Sequence, residues 1–193
     1  MKYILSRYNH DIAWLKDYTN DFVLYDRSDA PIEGSIVVPN IGSDIYDKFT
    51  YIIDNYDNLP DVAVYTKANI FKYITKEEFD LIKDNKTFTP ILSFKHKTRF
   101  PICFYINDLY YELNNYWYLK SHPAKRKEEL IKFLGIKYKL YLKFAPGSNY
   151  IVPKENILKH PKEYYIKLRS FLDWAVYPGE AQIIERSLYY IWS

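Results

Sequence analysis

The chain has 193 residues, 48% hydrophobic and 26% charged, a balance that suits one soluble globular domain with a real core. Its formal charge of +3 is too mild for a nucleic-acid partner, which asks for clustered basic faces; the one dense basic run, Lys125-Arg126-Lys127, meets Glu128-Glu129 at once and reads as a solvated helix face. Cys103 is the single cysteine, which excludes an intrachain disulfide and a cysteine metal cluster, and no apolar run approaches the roughly 20 residues of a membrane span.

The opening "MKYILSRYNHDIAW" carries too short an apolar run for a signal peptide, so a cytoplasmic protein is expected, in the host cytoplasm if the chain is viral. Aromatic residues make up 19%, with 22 Tyr, and Lys, Ile and Asn are also abundant. AT-rich coding accounts for that bias; a tyrosine-rich sugar-binding surface is the functional alternative.

In chain order, "KYILS" and "FVLYD" (22–26) read as buried strands, with a short helix from Asp11 to Tyr18 between them. A Pro-, Gly- and Ser-punctuated loop follows around Ile36-Val37-Val38. The next helix runs from Asp44 to about Tyr56, because Ile45, Phe49, Ile52, Ile53 and Tyr56 share one face. Asp44 and Asp47 fall in its first turn, where carboxylates suit the positive end of the dipole. "VAVY" is a third strand, and Thr75 with Glu78 forms a capping box for another helix. "FTPILSF" and "FPICFYI" read as strands interrupted by Pro90 and Pro101, and "SFKHKTRF" as an exposed strand or a phosphate contact. "AKRKEELIKFLG" is a helix stopped by Gly135, and "YKLYLKF" a half-exposed strand. Tyr164, Leu168, Phe171, Leu172 and Ala175 form one late helix face, and Ala181, Ile184, Leu188 and Ile191 another.

Alternating strands and helices in the first third predict a mostly parallel sheet covered on both faces, an α/β fold in one domain over residues 1–193. In such sheets ligands bind at the carboxyl ends of the strands. That rule singles out Ser6, Arg7 and Asn9 after the first strand, and Asp26 and Arg27 after the second. It adds Asn40 and Gly42 before the long helix, and Lys67 and Asn69 after the third strand. Arg7 and Lys67 are candidates for phosphate oxygens, Asp26 for a base or ribose, and the Gly42-Ser43 amides for an anion at a helix start. Ordinary water-facing loop polarity is the competing reading. Zinc spacings, dinucleotide and ATP fingerprints and a nucleophile elbow are all absent.

Three blocks carry a resemblance: "SRYNHDIAWL", "VVPNIGSDIYDKFTYIIDNYDNLPDVAVYTKAN", and "FAPGSNYIVPKENILKHPKEYYIKL" with "ERSLYYIW". Together they resemble a poorly characterised glycosyltransferase-like family of bacteria, fungi and large viruses, with His10 where that family usually has an acidic residue. The layout is similar to the GT-A nucleotide-sugar fold. The resemblance implies a Rossmann-like domain with a nucleotide-binding half (1–74) and an acceptor half (75–193). It implies transfer of a hexose or pentose from a nucleoside-diphosphate sugar, a UDP-sugar before a GDP-sugar, to a glycan or polysaccharide acceptor. Asp26 takes the base-contacting role. The metal-holding DxD falls on "VYTKAN", which lacks those aspartates and puts a divalent cation, Mn or Mg, in doubt. Either Lys67, Arg7 or Arg186 replaces the metal, or Asn69 with Asp29 or a histidine makes a weaker site. Glu185 and Glu180 are the candidate general bases. A catalytically inactive sugar-nucleotide-binding module and a protein-interaction domain are the alternatives.

Overall fold

The computed structural model describes residues 1–93, 97–137 and 139–193. The main sheet takes β1 (Lys2–Arg7), β2 (Phe22–Asp26), β3 (Ile36–Val37), β4 (Val62–Lys67), β5 (Thr89–Pro90) and β9 (Tyr150–Pro153). Their order is β3-β2-β1-β4-β9-β5. The first four are mutually parallel, whereas β9 runs antiparallel to both β4 and β5. The fold is therefore mixed α/β with a mostly parallel sheet, and β5 and β9 bring the second half of the chain into it.

Strand residues alternate between two cores. Ile4, Ala63, Tyr65, Tyr150 and Val152 face one side, with α1 (Ser43–Asp54), α5 (Lys162–Arg169) and α6 (Gly179–Trp192). Tyr3, Leu5, Val62, Val64 and Ile151 face the other, closed by Leu15, Ile70, Ile74 and Phe79 of α2 (Lys76–Ile82). Both faces are covered, so the parallel strands read as unbroken apolar runs in the sequence. Phe49 and Ile52 of α1 are completely buried, each contributing roughly 1.5–3 kcal/mol relative to exposure.

A second, antiparallel sheet orders β6 (Cys103–Ile106), β7 (Leu109–Leu113) and β8 (Tyr141–Lys143). It leans on α6, and α3 (Lys127–Leu134) and the short α4 (Lys154–Ile157) complete the molecule. Among the described residues, no helix is long and apolar enough to cross a membrane.

Several local readings shift. The Asp11–Tyr18 helix is one 3-10 segment, Ala13–Asp17. "FTPILSF" contributes only two strand residues, since proline cannot donate to a ladder. In "SFKHKTRF", residues 94–96 lie outside the described residues, and the rest makes only an isolated bridge from Arg99 to Cys103. The "YKLYLKF" strand narrows to Tyr141–Lys143, and Tyr138 lies outside the described residues. The helix carrying Tyr164 and Leu168 stops at Arg169, leaving Phe171 and Leu172 buried in the following turn. The Thr75 capping box and the left-handed Gly135 stop form as read.

Candidate functional site

The strand order reverses direction at β1, whose neighbours are β2 and β4. Loops leaving such a point diverge and leave a crevice beyond the strand ends. Here that crevice is an open cleft of about 180 Å³, lined by Ser6, Arg7, Arg27, Asn40, Lys67 and Asn69 of the sequence-chosen set. Tyr8, His10, Ser43, Asp44, Tyr73 and Tyr177 complete its wall.

Beneath the cleft lies a layer of ion pairs. Arg7 Nη1 donates to Asp26 Oδ2 and to Ser28 Oγ, both at 2.7 Å, while its Nε donates to the His10 carbonyl at 2.8 Å. Arg27 clamps Asp47 through Nε and Nη2, each at 2.7 Å, and gives Nη1 to the Ile41 carbonyl. Asp44 holds two lysines: Lys48, one turn later on the same helix and fully buried, and Lys67, whose Nζ is 3.1 Å from Asp44 Oδ1. Ser148 donates to Asp44 Oδ2, and Lys48 Nζ donates to Ser148 Oγ at 2.8 Å.

Burial alone would raise the Asp44 pKa, but the charges of Lys48 and Lys67 and the hydrogen bonds of Lys48 and Ser148 hold it far below the carboxylate range. Burial would lower Lys67, yet Asp44 and Glu185 raise it, so it keeps its charge. Asp47 goes the other way: burial outweighs its Arg27 clamp and raises its pKa. The lysine and arginine of the two strand ends keep the most surface here. Side-chain exposure is 24% for Lys67 and 11% for Arg7, against 7% for Asp44 and none for Asp26. The layer thus turns cations toward the cleft and holds carboxylates behind them.

Other candidates fall differently. Asp26 is completely buried and accepts from Arg7, Ile32 N and both N and Oγ of Ser28, so its oxygens are engaged within the protein and not offered to a base. The Gly42 and Ser43 amides donate to the Ala175 and Val176 carbonyls at 2.8 and 3.0 Å, which closes the expected anion site at that helix start. Gly42 has a left-handed φ of 68°, and a Cβ there would stand 2.9 Å from the Leu172 carbonyl oxygen. Asn9 is exposed beside the cleft with a φ of 55°.

Glu180 is fully buried and away from the cleft lining, its Oε1 accepting from Arg126 N at 2.6 Å. Glu185 Oε1 accepts from Gly147 N at 2.6 Å, so this carboxylate braces a turn. Arg186 of α6 pairs with Glu112 of β7 at 2.8 Å under the Tyr118 ring, away from the cleft lining. Asn69 Nδ2 lies 3.2 Å from His10 Nε2. Asp29 does not line the cleft, and among the described residues no three of His, Cys, Asp and Glu gather into a metal-holding group.

Sequence reasoning missed the roles of Asp44, Lys48, Ser148 and Tyr177. The i,i+4 spacing of Asp44 and Lys48 was a usable signal for an ion pair. Nothing local announced that Ser148, a hundred residues later, would join it. No curated protein and no solved structure matches the chain. Residues 4–99, which hold every cleft-lining residue named above except Tyr177, match the model of a family described as a protein of unknown function, DUF3431.

Proposed function

We propose that the cleft binds a nucleoside-diphosphate sugar, a UDP-sugar before a GDP-sugar, and that the protein is a glycosyltransferase serving glycan or polysaccharide assembly. One observation carries the reading: Lys67 and Arg7 present partly exposed cations at the ends of β4 and β1, with their counter-carboxylates held behind them. A departing diphosphate needs fixed positive charge, and these groups supply it without reorganisation. Tyr8, Tyr73 and Tyr177 add ring surfaces to the same wall, suited to stacking against a base or a sugar.

The arrangement favours binding without a divalent cation. Both Asp44 oxygens are engaged by Lys48, Lys67 and Ser148, so a metal ion would have to displace an ammonium group. Asn40 and Asn69 bring the side-chain amide oxygens of the cleft lining, too few for a hard cation that takes six or more ligands. The Arg7–Asp26 pair joins the two strand ends and holds the guanidinium over the cleft floor.

A second reading is favoured by the state of the acids. Asp26, Asp44, Asp47 and Glu185 each accept hydrogen bonds from the protein itself. Deprotonating an acceptor hydroxyl needs a base within reach, and among the cleft-lining residues only His10 is an exposed titratable base of that kind. The alternative is therefore a sugar-nucleotide-binding module without transfer.

Isothermal titration calorimetry of UDP, GDP and UDP-glucose, in EDTA and then in Mn²⁺, tests the reading. UDP binding that persists in EDTA and falls in Lys67→Met is the expected result. No heat from any of the three, with folded protein, sinks it. Binding without sugar transfer to any acceptor selects the non-catalytic module.

A further inference from the structure

We infer that the Gly147–Ser148 turn is a positioning device that aims Lys67 into the cleft; the ligand arm of its test rests on the reading above. Both residues of the turn adopt left-handed backbone, with φ of 90° at Gly147 and 59° at Ser148. Serine is disfavoured there, and a strained non-glycine residue persists only where its surroundings over-determine it. Here they do. Ser148 is completely buried, and its Oγ donates to Asp44 while accepting from Lys48.

Two contacts run from this turn to Lys67 by separate routes. Ser148 fixes Asp44, whose Oδ1 stands 3.1 Å from Lys67 Nζ. Gly147 lies against the Tyr73 ring so closely that a Cβ would come within 2.6 Å of it, and that ring sits 5.6 Å from Lys67 Nζ in a cation–π contact. A third contact pins the turn from outside: Glu185 of α6 takes the Gly147 amide at 2.6 Å. Asn149, the next residue, accepts the Lys67 backbone N–H on Oδ1 at 3.0 Å. Backbone, carboxylate partner and ring partner of one lysine are all set by three consecutive residues from the other half of the chain.

The consequence is a positioning role for Ser148, and Glu185 acts through the turn and not on an acceptor. A merely structural serine in a left-handed turn would be replaced by glycine without loss, because glycine takes that backbone freely. Ser148→Gly relieves the backbone but removes the whole hydroxymethyl group, so it is read beside Ser148→Ala, which deletes only the hydroxyl; a loss common to both belongs to the hydroxyl.

The measurement is the side-chain ammonium resonance of Lys67 in ¹⁵N-labelled protein at pH 7, assigned by its loss in Lys67→Arg, together with UDP titration. In the native protein the fixed ammonium gives a resolved signal. In Ser148→Gly that signal is expected to broaden into water exchange, and UDP affinity to fall about tenfold, the equivalent of one lost charge-assisted hydrogen bond. Ser148→Ala, which keeps the strain, should show the same two losses with a lower melting temperature than Ser148→Gly. An unchanged Lys67 signal in Ser148→Gly overturns the inference, as does a native protein with no resolved Lys67 signal. If native protein binds no UDP, the functional reading fails, while the resonance still decides the positioning role.

Discussion

Among the described residues, the buried charges at the strand ends open to solvent on one side, whereas the Arg186–Glu112 pair is sealed. Between α6 and the second sheet, Arg186 and Glu112 pair at 2.8 Å with side-chain exposures of 8% and 9%, and Trp117 Nε1 adds a hydrogen bond to Glu112 at 3.1 Å. The guanidinium lies 3.9 Å from the Tyr118 ring centre and 5.0 Å from that of Phe144. At the strand ends, Asp44, Lys48 and Lys67 are gathered as tightly, but Lys67 keeps 24% of its side chain in the cleft. The same chemistry locks two elements together when rings seal it and presents a charge when a loop leaves one side open. A buried ion pair is weak evidence of function; an asymmetric one beside a cleft is better evidence.

The largest effect should come from breaking the sealed pair. Arg186→Met leaves Glu112 buried and unpaired, and should cost about 3–5 kcal/mol in urea unfolding. Adding Glu112→Gln should restore part of it, and a single mutant as stable as the native protein would show that this pair is not the lock described. Asp44→Asn is next. It strands Lys48, which is fully buried, and should cost about 3 kcal/mol while also removing UDP binding.

The same carboxylate sets a pH dependence. Because Asp44 is held far below its ordinary value of 3.8, it contributes stability that is present above that value and lost as pH falls toward its folded pKa. Acid unfolding followed by circular dichroism should thus steepen below about pH 4 in the native protein. Asp44→Asn should flatten that slope, and identical slopes would contradict the assignment. The smallest stability effect belongs to the exposed member of the open network. Lys67→Met should change stability by less than about 1 kcal/mol, since partly solvated pairs contribute little, yet weaken UDP about tenfold or more. Equal stability losses in Lys67→Met and Arg186→Met would erase the distinction between the open and the sealed network.

Much of the architecture was legible because it is local or periodic. The 3.6-residue spacing of Ile45, Phe49, Ile52 and Ile53 marks α1, and the runs "KYILS", "FVLYD" and "VAVY" mark strands buried on both faces. The Thr75–Glu78 box is a contact between near neighbours. The strand-end rule also chose most of one wall of the cleft, from Ser6 and Arg7 to Lys67 and Asn69. It went astray where a polar group finds its partner elsewhere in the fold. Asp26 looked available and is enclosed by Ser28, Ile32 and Arg7, and the Gly42 and Ser43 amides looked open until the 175–176 segment covered them.

By itself, then, the sequence determined the alternating strands and helices, the parallel core and the place where polar loops converge, because periodicity and capping act within a few residues. The tertiary structure decided which of those polar groups face the cleft. Asp44 is a helix-start carboxylate in the sequence; it becomes the hub of a lysine-holding network only when Ser148 arrives across the fold. Glu185 is a candidate base in the sequence and a brace for Gly147 in space. A side chain's charge is written in the chain, but whether that charge is engaged or presented depends on desolvation and on partners distant in sequence.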